Sequence, residues 1–227
     1  KALWLLALWL GLAGSLAAQT ANQYTFSSST GTLDPMTGAT IILGSSNDDT
    51  PSGVQSIGFT FTYEGVAYTQ FSMSPDGFIK LGSVAAVNQF TNQITSTTNI
   101  PKLFPYWDDL ATGTNGNGSF VVTGSAPNRI LKIQWFVTIP RNTTGPANST
   151  MQLWLYETTN LIECRYGAVG GNSTSASLGI NGTTATNFHS ITTPANTSST
   201  TTANDANTVW PGNGTMFSFS PPVACNG

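Results

Sequence analysis

The feature that most constrains the fold is an alternation of apolar and polar residues with a period of two. It is clearest in residues 129–139, where five apolar side chains occupy every second position: Leu131, Ile133, Trp135, Val137 and Ile139. Residues 57–63, 151–156, 162–166 and 215–220 show the same alternation. Outside the first eighteen residues, no long segment has the 3.6-residue apolar period of an amphipathic helix. The pattern therefore predicts an all-β protein.

Turn sequences separate these strands and none of the connections has a helical pattern, which favours antiparallel sheets. About two hundred residues are enough for one large domain. We expect an antiparallel two-sheet sandwich, jelly-roll-like, with roughly ten to fourteen strands. Two polar segments have no apolar period: residues 87–100, and residues 194–207, which we interpret as a mobile loop.

The first nineteen residues have the pattern of a secretory signal peptide. Lys1 gives the positive start, residues 2–12 are apolar, and small residues at 14–18 suit cleavage after Ala17, Ala18 or Gln19. The apolar run is shorter than the roughly twenty residues that span a bilayer. We therefore expect a secreted or cell-surface protein without a membrane span, with a sandwich module at 20–220 and a linker to a further module at 221–227.

Composition argues against a nucleic-acid partner. Charged residues make up 7% of the chain, the formal net charge is −3, and the seven Lys and Arg residues are scattered. A phosphate-binding surface needs clustered basic residues. The 39% hydrophobic and 11% aromatic content also argues against disorder.

The two cysteines, Cys164 and Cys225, leave two interpretations open. In a secreted chain they could form a disulfide. Alternatively, Cys164 shares a strand face with Ile162 and Tyr166, and a free cysteine there behaves as a small buried apolar group.

Adjacent carboxylates at Asp108 and Asp109 raise the possibility of calcium, with Asp76 as a third ligand. Calcium takes six to eight oxygen ligands, so these residues alone fall short of a site. The alternative is a structural role, in which one aspartate accepts backbone amides and the other forms an ion pair. Residues 48–49 have the composition of an exposed turn.

Glycoside hydrolysis would need two carboxylates about 5–10 Å apart across a cleft. Asp108 or Asp109 could be paired with Glu157 or Glu163. Against this, Glu157 precedes a turn and Glu163 lies beside Arg165, as in a surface ion pair. No Gly-x-Ser-x-Gly element accompanies the single histidine, so the sequence gives no support for serine-hydrolase chemistry.

Aromatic residues suggest a different surface. If Trp135 and Leu153 face the core, then Phe136, Trp154 and Tyr156 lie on the opposite face of the sheet. Such a strip could stack against the sugar rings of an extracellular polysaccharide. The alternative is that residues 87–100 or a neighbouring module cover this face.

Five segments resemble the N-terminal module of large secreted, multidomain surface proteins of Bacteroidota-type bacteria. They are FTFTYEGVAY at 59–68, MSPDGFIKLG at 73–82, PYWDDL at 105–110, GSAPNRILKIQW at 124–135 and LWLYETTNLIE at 153–163. The same segments are more weakly similar to nidogen-like domains of extracellular matrix proteins. Asp76, where Asn is commoner, and Cys164, where a bulky apolar residue is usual, depart from the pattern.

The resemblance implies a β-sandwich, an extracellular location, export by type IX secretion and neighbouring modules in a longer chain. It supplies no catalytic residues. We therefore expect a non-catalytic module for adhesion or scaffolding that binds surface proteins. Carbohydrate binding through the aromatic face is the first alternative, and glycoside hydrolysis is the second.

Overall fold

The computed structural model describes residues 19–223 of the chain. The predicted signal peptide up to residue 18 and residues 224–227 of the predicted linker, including Cys225, lie outside the described residues. The described part begins with a short 3₁₀ helix, Ala21–Gln23, and continues in strands. These strands are β1 Thr25–Thr30, β2 Thr40–Leu43, β3 Gln55–Tyr63, β4 Val66–Ser74, β5 Phe78–Leu81, β6 Lys102–Trp107, β7 Asn117–Thr123, β8 Ile130–Val137, β9 Ser149–Tyr156, β10 Ile162–Tyr166, β11 Ser177–Asn181, β12 Phe188–Thr192, β13 Thr197–Ser199 and β14 Thr215–Ser220.

The strands form two open sheets of seven, and all pairings between them are antiparallel. The first sheet has the order β1-β14-β10-β9-β8-β7-β2, and the second has the order β13-β12-β11-β6-β5-β4-β3. The predicted all-β two-sheet sandwich is therefore confirmed. Most strands that follow one another in the chain are also neighbours in a sheet, as in a β-meander. After β10 in the first sheet the chain crosses to the second sheet, where β11 pairs with β6. This strand order gives the topology, which the sequence did not predict.

The core lies between the sheets and is built by the alternating residues that predicted the strands. Leu131, Ile133 and Trp135 of β8 are all fully buried there. Two hydrogen bonds also cross the sandwich. Trp135 Nε1 donates to the Ser74 carbonyl oxygen at 2.8 Å, and Tyr166 Oη donates to the Pro105 carbonyl oxygen at 2.7 Å. These buried polar tips are thus satisfied, and they fix the two sheets relative to each other.

The connection between β1 and β2 covers the outer face of the first sheet. These two strands form opposite edges of that sheet, so residues 31–39 must cross it. Gln152 of β9 both donates to the Asp34 carbonyl oxygen at 2.7 Å and accepts from the Asp34 amide at 2.9 Å. Arg165 Nη1 donates to the Thr32 carbonyl oxygen at 2.8 Å. We call residues 31–39 the crossing segment.

Residues 82–101 cover the outer face of the second sheet, and we call them the covering segment. Ala86 and Ile94 pack there in a second apolar cluster with Phe78, Phe104, Trp107 and Phe188. Trp107 Nε1 donates to the Gln89 carbonyl oxygen at 2.8 Å. No strand forms between residues 87 and 100, in agreement with the prediction for that part of the chain.

The interpretation of residues 194–207 as a mobile loop is wrong. The segment contains β13, which pairs with β12, and it ends at a buried residue, Asn207. The Asn207 side-chain nitrogen, Nδ2, donates to the carbonyl oxygens of Ala176 and Ile191 at 3.0 Å each. Side-chain hydrogen bonds rather than an apolar face hold this segment, so periodicity could not predict its structure.

Candidate functional site

The predicted aromatic face lies on the outside of the first sheet, but Trp154 is covered. The guanidinium carbon of Arg165 lies 3.5 Å from the centroid of the indole ring, and Lys132 Nζ lies 4.4 Å from it. Trp154 Nε1 donates to Gln152 Oε1 at 2.9 Å. Only 8% of the Trp154 surface remains exposed. The indole is thus enclosed by cation–π and hydrogen-bonding partners.

Phe136, Trp154 and Tyr156 share the outer face of the first sheet, but they do not form one open strip. Phe136 pairs with Thr150, four positions along β9 from Trp154, which corresponds to roughly 13 Å. Tyr156 lies closer, with its ring centroid 6.4 Å from that of Trp154, and its hydroxyl donates to Glu163 Oε2 at 2.7 Å. The crossing segment, rather than residues 87–100, contributes the cover. A sugar ring would have to displace Arg165 to stack on Trp154.

The glutamates proposed for glycoside hydrolysis are engaged in ion pairs. Glu157 accepts from Arg129 Nε at 2.8 Å, and this bond lowers the pKa of Glu157 to about 2, which is unsuitable for a general acid. Glu163 accepts from Arg165 and Tyr156. Glu157 follows β9, whereas Asp109 contacts Arg141 beyond the end of β8, where Val137 pairs with Ser149 at the start of β9. The length of β9, on the order of 20 Å, therefore separates the two carboxylates.

A different set of carboxylates meets where loops from both sheets converge. One oxygen each of Asp48, Asp49 and Asp109 lie within 4.8 Å of one another. Backbone bonds join the two loops that carry them. The Thr112 amide donates to the Asn47 carbonyl oxygen at 2.8 Å, and the Ser46 amide donates to the Gly113 carbonyl oxygen at 2.6 Å. We call Asp48, Asp49 and Asp109 the acidic triad.

Arg141 supplies positive charge to two members of the acidic triad. Its Nε lies 2.8 Å from Asp48 Oδ1 and 2.9 Å from Asp109 Oδ1, and its Nη2 also contacts Asp48. Asp49 is exposed and has no ion-pair partner among residues 19–223. Three carboxylates thus face one guanidinium, which leaves the group with excess negative charge.

Asp76 lies beneath this surface cluster and is completely buried. Its Oδ2 accepts a hydrogen bond from Ser74 Oγ at 2.9 Å, but its Oδ1 has no partner. Burial raises the pKa of Asp76 to about 7, the hydrogen bond from Ser74 and the nearby Leu110 backbone amide oppose this rise, and the charges of Asp49 and Asp109 add to it. The Asp76 carbonyl oxygen accepts the Asp108 amide at 3.2 Å, which places the carboxyl under the turn that carries Asp109.

Asp108 does not join the acidic triad. Burial raises its pKa to about 7, and its Oδ1 accepts the Asp109 amide at 2.9 Å. Of the ligands predicted for calcium, the structure therefore groups Asp109 with Asp48 and Asp49 and places Asp76 below them. The sequence interpretation missed residues 48–49, whose only signal was that they form a second adjacent aspartate pair.

Of the two cysteines, the structure describes only Cys164. Cys164 is fully buried between the sheets, where burial raises the pKa of its thiol. Cys225 lies outside the described residues, so the disulfide stays a prediction.

The comparison with protein families decides what kind of domain this is. A family model described as NIDO related matches residues 23–221, which run from the 3₁₀ helix to the end of β14. The chain belongs to the NIDO-related family. The comparisons with curated proteins and with solved structures give no significant match.

Membership of the NIDO-related family supports the nidogen-like part of the predicted resemblance and an extracellular location. It is also compatible with a non-catalytic module. Between residues 19 and 223, no helix of this NIDO-related domain is both long and apolar enough to cross a membrane. The acidic triad and the covered face of the first sheet are therefore features of a NIDO-related β-sandwich.

Proposed function

We propose that this NIDO-related domain is a non-catalytic extracellular module that binds other surface proteins, for adhesion or scaffolding. The family and the fold support the non-catalytic part. Two open surface depressions, one beside Tyr68 and Gln70 and one beside Thr30 and Arg165, are lined by no aspartate or glutamate. A glycosidase would need two such residues flanking its substrate.

The observation that carries the proposal is a group of exposed apolar residues on the covering segment. Val84, Val87 and Phe90 are 67%, 58% and 48% exposed, and they lie within seven consecutive residues. Residues 82–101 include no charged residue. Grouped apolar side chains in an uncharged surface are typical of a protein-contact surface, since burying them against a partner is favourable.

A protein partner fits this surface better than a polysaccharide does. Sugar binding would require a flat aromatic ring that is open to solvent, and Trp154 is instead enclosed by Arg165 and Lys132. On the covering segment, Phe90 is a single exposed ring, and the other two exposed apolar residues, Val84 and Val87, are aliphatic. Carbohydrate binding therefore becomes the alternative outcome of the experiment below.

The test compares the protein with two variants on arrays of purified surface proteins and of polysaccharides. We expect saturable binding to a protein that is lost in the variant Val84→Thr/Val87→Thr/Phe90→Ser. Ile41→Thr is the matched control, because Ile41 is equally exposed but lies in β2 at an edge of the first sheet. Binding to a polysaccharide alone, or release of reducing sugar from one, would contradict the proposal.

We also propose that the module serves within a larger secreted surface protein that is exported by type IX secretion. Support comes from the resemblance of residues 59–68, 73–82, 105–110, 124–135 and 153–163 to such modules. The measurement is the location of the protein in source cells with and without that secretion system. Unchanged surface display in the deficient cells would refute this export route.

A further inference from the structure

We propose that the free edge of β1 pairs with the same edge of a second copy of the chain, so that two first sheets join into one continuous sheet. The edge belongs to the first sheet, so the proposal is independent of the protein-binding surface proposed on the covering segment of the second. It rests on the regularity of β1, on the open backbone along it and on the half-buried ring of Phe26.

The two sheets have four edge strands between residues 19 and 223, and β1 differs from the other three. β2 and β13 are only four and three residues long. β3 is longer, but side chains from the first sheet block it: the Thr62 amide donates to Asn160 Oδ1 at 2.8 Å, and Arg129 Nη1 donates to the Gly58 carbonyl oxygen at 2.6 Å. β1 pairs with β14 over all six of its residues without a register shift. It is therefore the long, regular edge that is left unprotected.

The outer backbone of β1 is open to a partner. In an antiparallel edge strand, every second residue points its N–H and C=O groups away from the neighbouring strand. In the described chain, the nearest hydrogen bonds between side chains and this stretch of backbone flank the strand, at Asn22 and Thr32. Residues 27–30 are all exposed, and neither β1 nor β14 contains a charged residue or a proline. Charge, proline and bulges are the features that usually prevent edge pairing, and β1 has none of them.

Phe26 adds apolar area to this edge. Its ring centroid lies 5.6 Å from that of Phe217 and 5.6 Å from that of Phe219, at the open side of the core. The side chain remains only partly buried there. A second β1 alongside would cover more of the ring, so apolar burial would add to the backbone hydrogen bonds of the new pair.

A second copy fits this edge better than a foreign strand does. Proteins that add a foreign strand to a sheet select it through pockets for its alternate side chains. β1 instead presents small serine and threonine side chains, and the depression beside Arg165 reaches only its last residue, Thr30. Two copies related by a two-fold axis meet edge to edge and antiparallel. Because β1 and β14 are uncharged, this contact brings no like charges of the two strands together.

The first experiment is analytical ultracentrifugation of the protein from about 10 µM to about 1 mM. Edge pairing buries a small area, so we expect a reversible dimer whose fraction rises over this range. A two-fold axis in the middle of β1 places each Ser28 within about 8 Å of its counterpart. Ser28→Lys should therefore weaken the dimer by about tenfold or more, because two ammonium groups would meet near the axis.

Two controls show whether the pairing itself is lost. Ser198→Lys puts the same charge on an exposed residue of β13, the edge of the second sheet, and should dimerise like the wild type. Urea denaturation of dilute Ser28→Lys should give the free energy of unfolding of the wild type, since Ser28 is exposed. Hydrogen exchange of the β1 amides should be slower in the concentrated wild type than in the dilute one, and unchanged by concentration in Ser28→Lys.

Three outcomes would overturn the proposal. The first is a wild type that stays monomeric over the whole range, including the case in which Ser28→Lys loses a protein ligand found on the array, since the edge would then serve a foreign strand. The second is a dimer that Ser28→Lys leaves intact. The third is a dimer lost only in Val84→Thr/Val87→Thr/Phe90→Ser, which would assign self-association to the covering segment.

Discussion

Arg165 lies across the face of Trp154, with its guanidinium carbon 3.5 Å from the centroid of the indole ring. The same guanidinium donates to Glu163 and to the Thr32 carbonyl oxygen, so it joins β10 to the crossing segment. Trp154 is therefore part of the packing on this face of the sheet rather than a free ligand-binding ring.

Replacement of Trp154 by alanine should destabilise the fold. Loss of a buried aromatic side chain typically costs about 3–5 kcal/mol. We expect the free energy of unfolding, measured by urea denaturation, to fall by this order. Phe136→Ala is the control on the same face, and it should cost less because Phe136 is only partly buried. Equal losses in the two variants would contradict the enclosed position of Trp154.

Gly77→Ala should be strongly destabilising. Gly77 has a φ of +83°, and a Cβ atom there would lie 1.9 Å from the Tyr106 carbonyl oxygen. Strain and overlap together should cost roughly 3 kcal/mol or more. Gly65→Ala is the control, because Gly65 has a φ of +74° but nothing within 4 Å of the added atom. It should lose only about 1–2 kcal/mol in the same urea measurement, and similar losses would refute the close approach at Gly77.

Lys102 should make stability depend on pH. It is buried under the covering segment, with Nζ 4.0 Å from the centroid of the Trp107 ring and 3.2 Å from Gln89 Oε1. Burial lowers the pKa of Lys102 from 10.5 to about 7. Between pH 7 and pH 10.5 the Lys102 side chain is protonated in the unfolded chain but mostly neutral in the folded chain. The free energy of unfolding therefore decreases as the pH falls from 10.5 towards 7, and it stops decreasing below pH 7, where both states are protonated.

Lys102→Met removes this titration and is the test of it. The free energy of unfolding of the wild type and of Lys102→Met is measured by urea denaturation at pH 6, 7, 8 and 9. All other ionisable groups are the same in the two proteins, so their contributions cancel in the comparison. From pH 7 to 9 the wild type should gain stability relative to the variant, by up to about 1.4 kcal/mol per pH unit. Parallel curves over that range would show that Lys102 is charged in the folded state.

The Cys164 thiol should not react in the native protein. Cys164 is fully buried and burial raises the pKa of its thiol, so little reactive thiolate is accessible. We expect a thiol reagent to label Cys164 only after unfolding, as read by peptide mass spectrometry. Rapid native labelling would contradict the burial. In denaturant without reductant, labelling of both cysteines would rule out the disulfide with Cys225.

The alternation in residues 129–139 predicted β8 and its core residues because one face of that strand is buried against a partner sheet. The closing strand was predicted with the bounds that β14 has, Thr215–Ser220. These predictions succeed where burial imposes a period on the sequence. The two-sheet sandwich follows from them.

The outer faces could not be predicted in the same way. The crossing segment contacts Gln152 and Arg165 through amide and backbone hydrogen bonds, which impose no period on its sequence. Lys102 lies on the outer face of β6, where only the covering segment makes it buried. The acidic triad joins residue 48 to residue 109, and this proximity depends on two loops meeting in space.

The pairing of the first strand with the last has a mechanical consequence. β1 runs antiparallel to β14, with Thr25 opposite Ser220, and Gln19 Nε2 donates to the Pro222 carbonyl oxygen at 3.1 Å. Tension applied between residues 19 and 223 would therefore peel two neighbouring strands from one end. The backbone hydrogen bonds between β1 and β14 would break one after another, at lower force than if the two strands were sheared along their length. Under load, β1 would detach first, while the meanders behind it keep their hydrogen bonds.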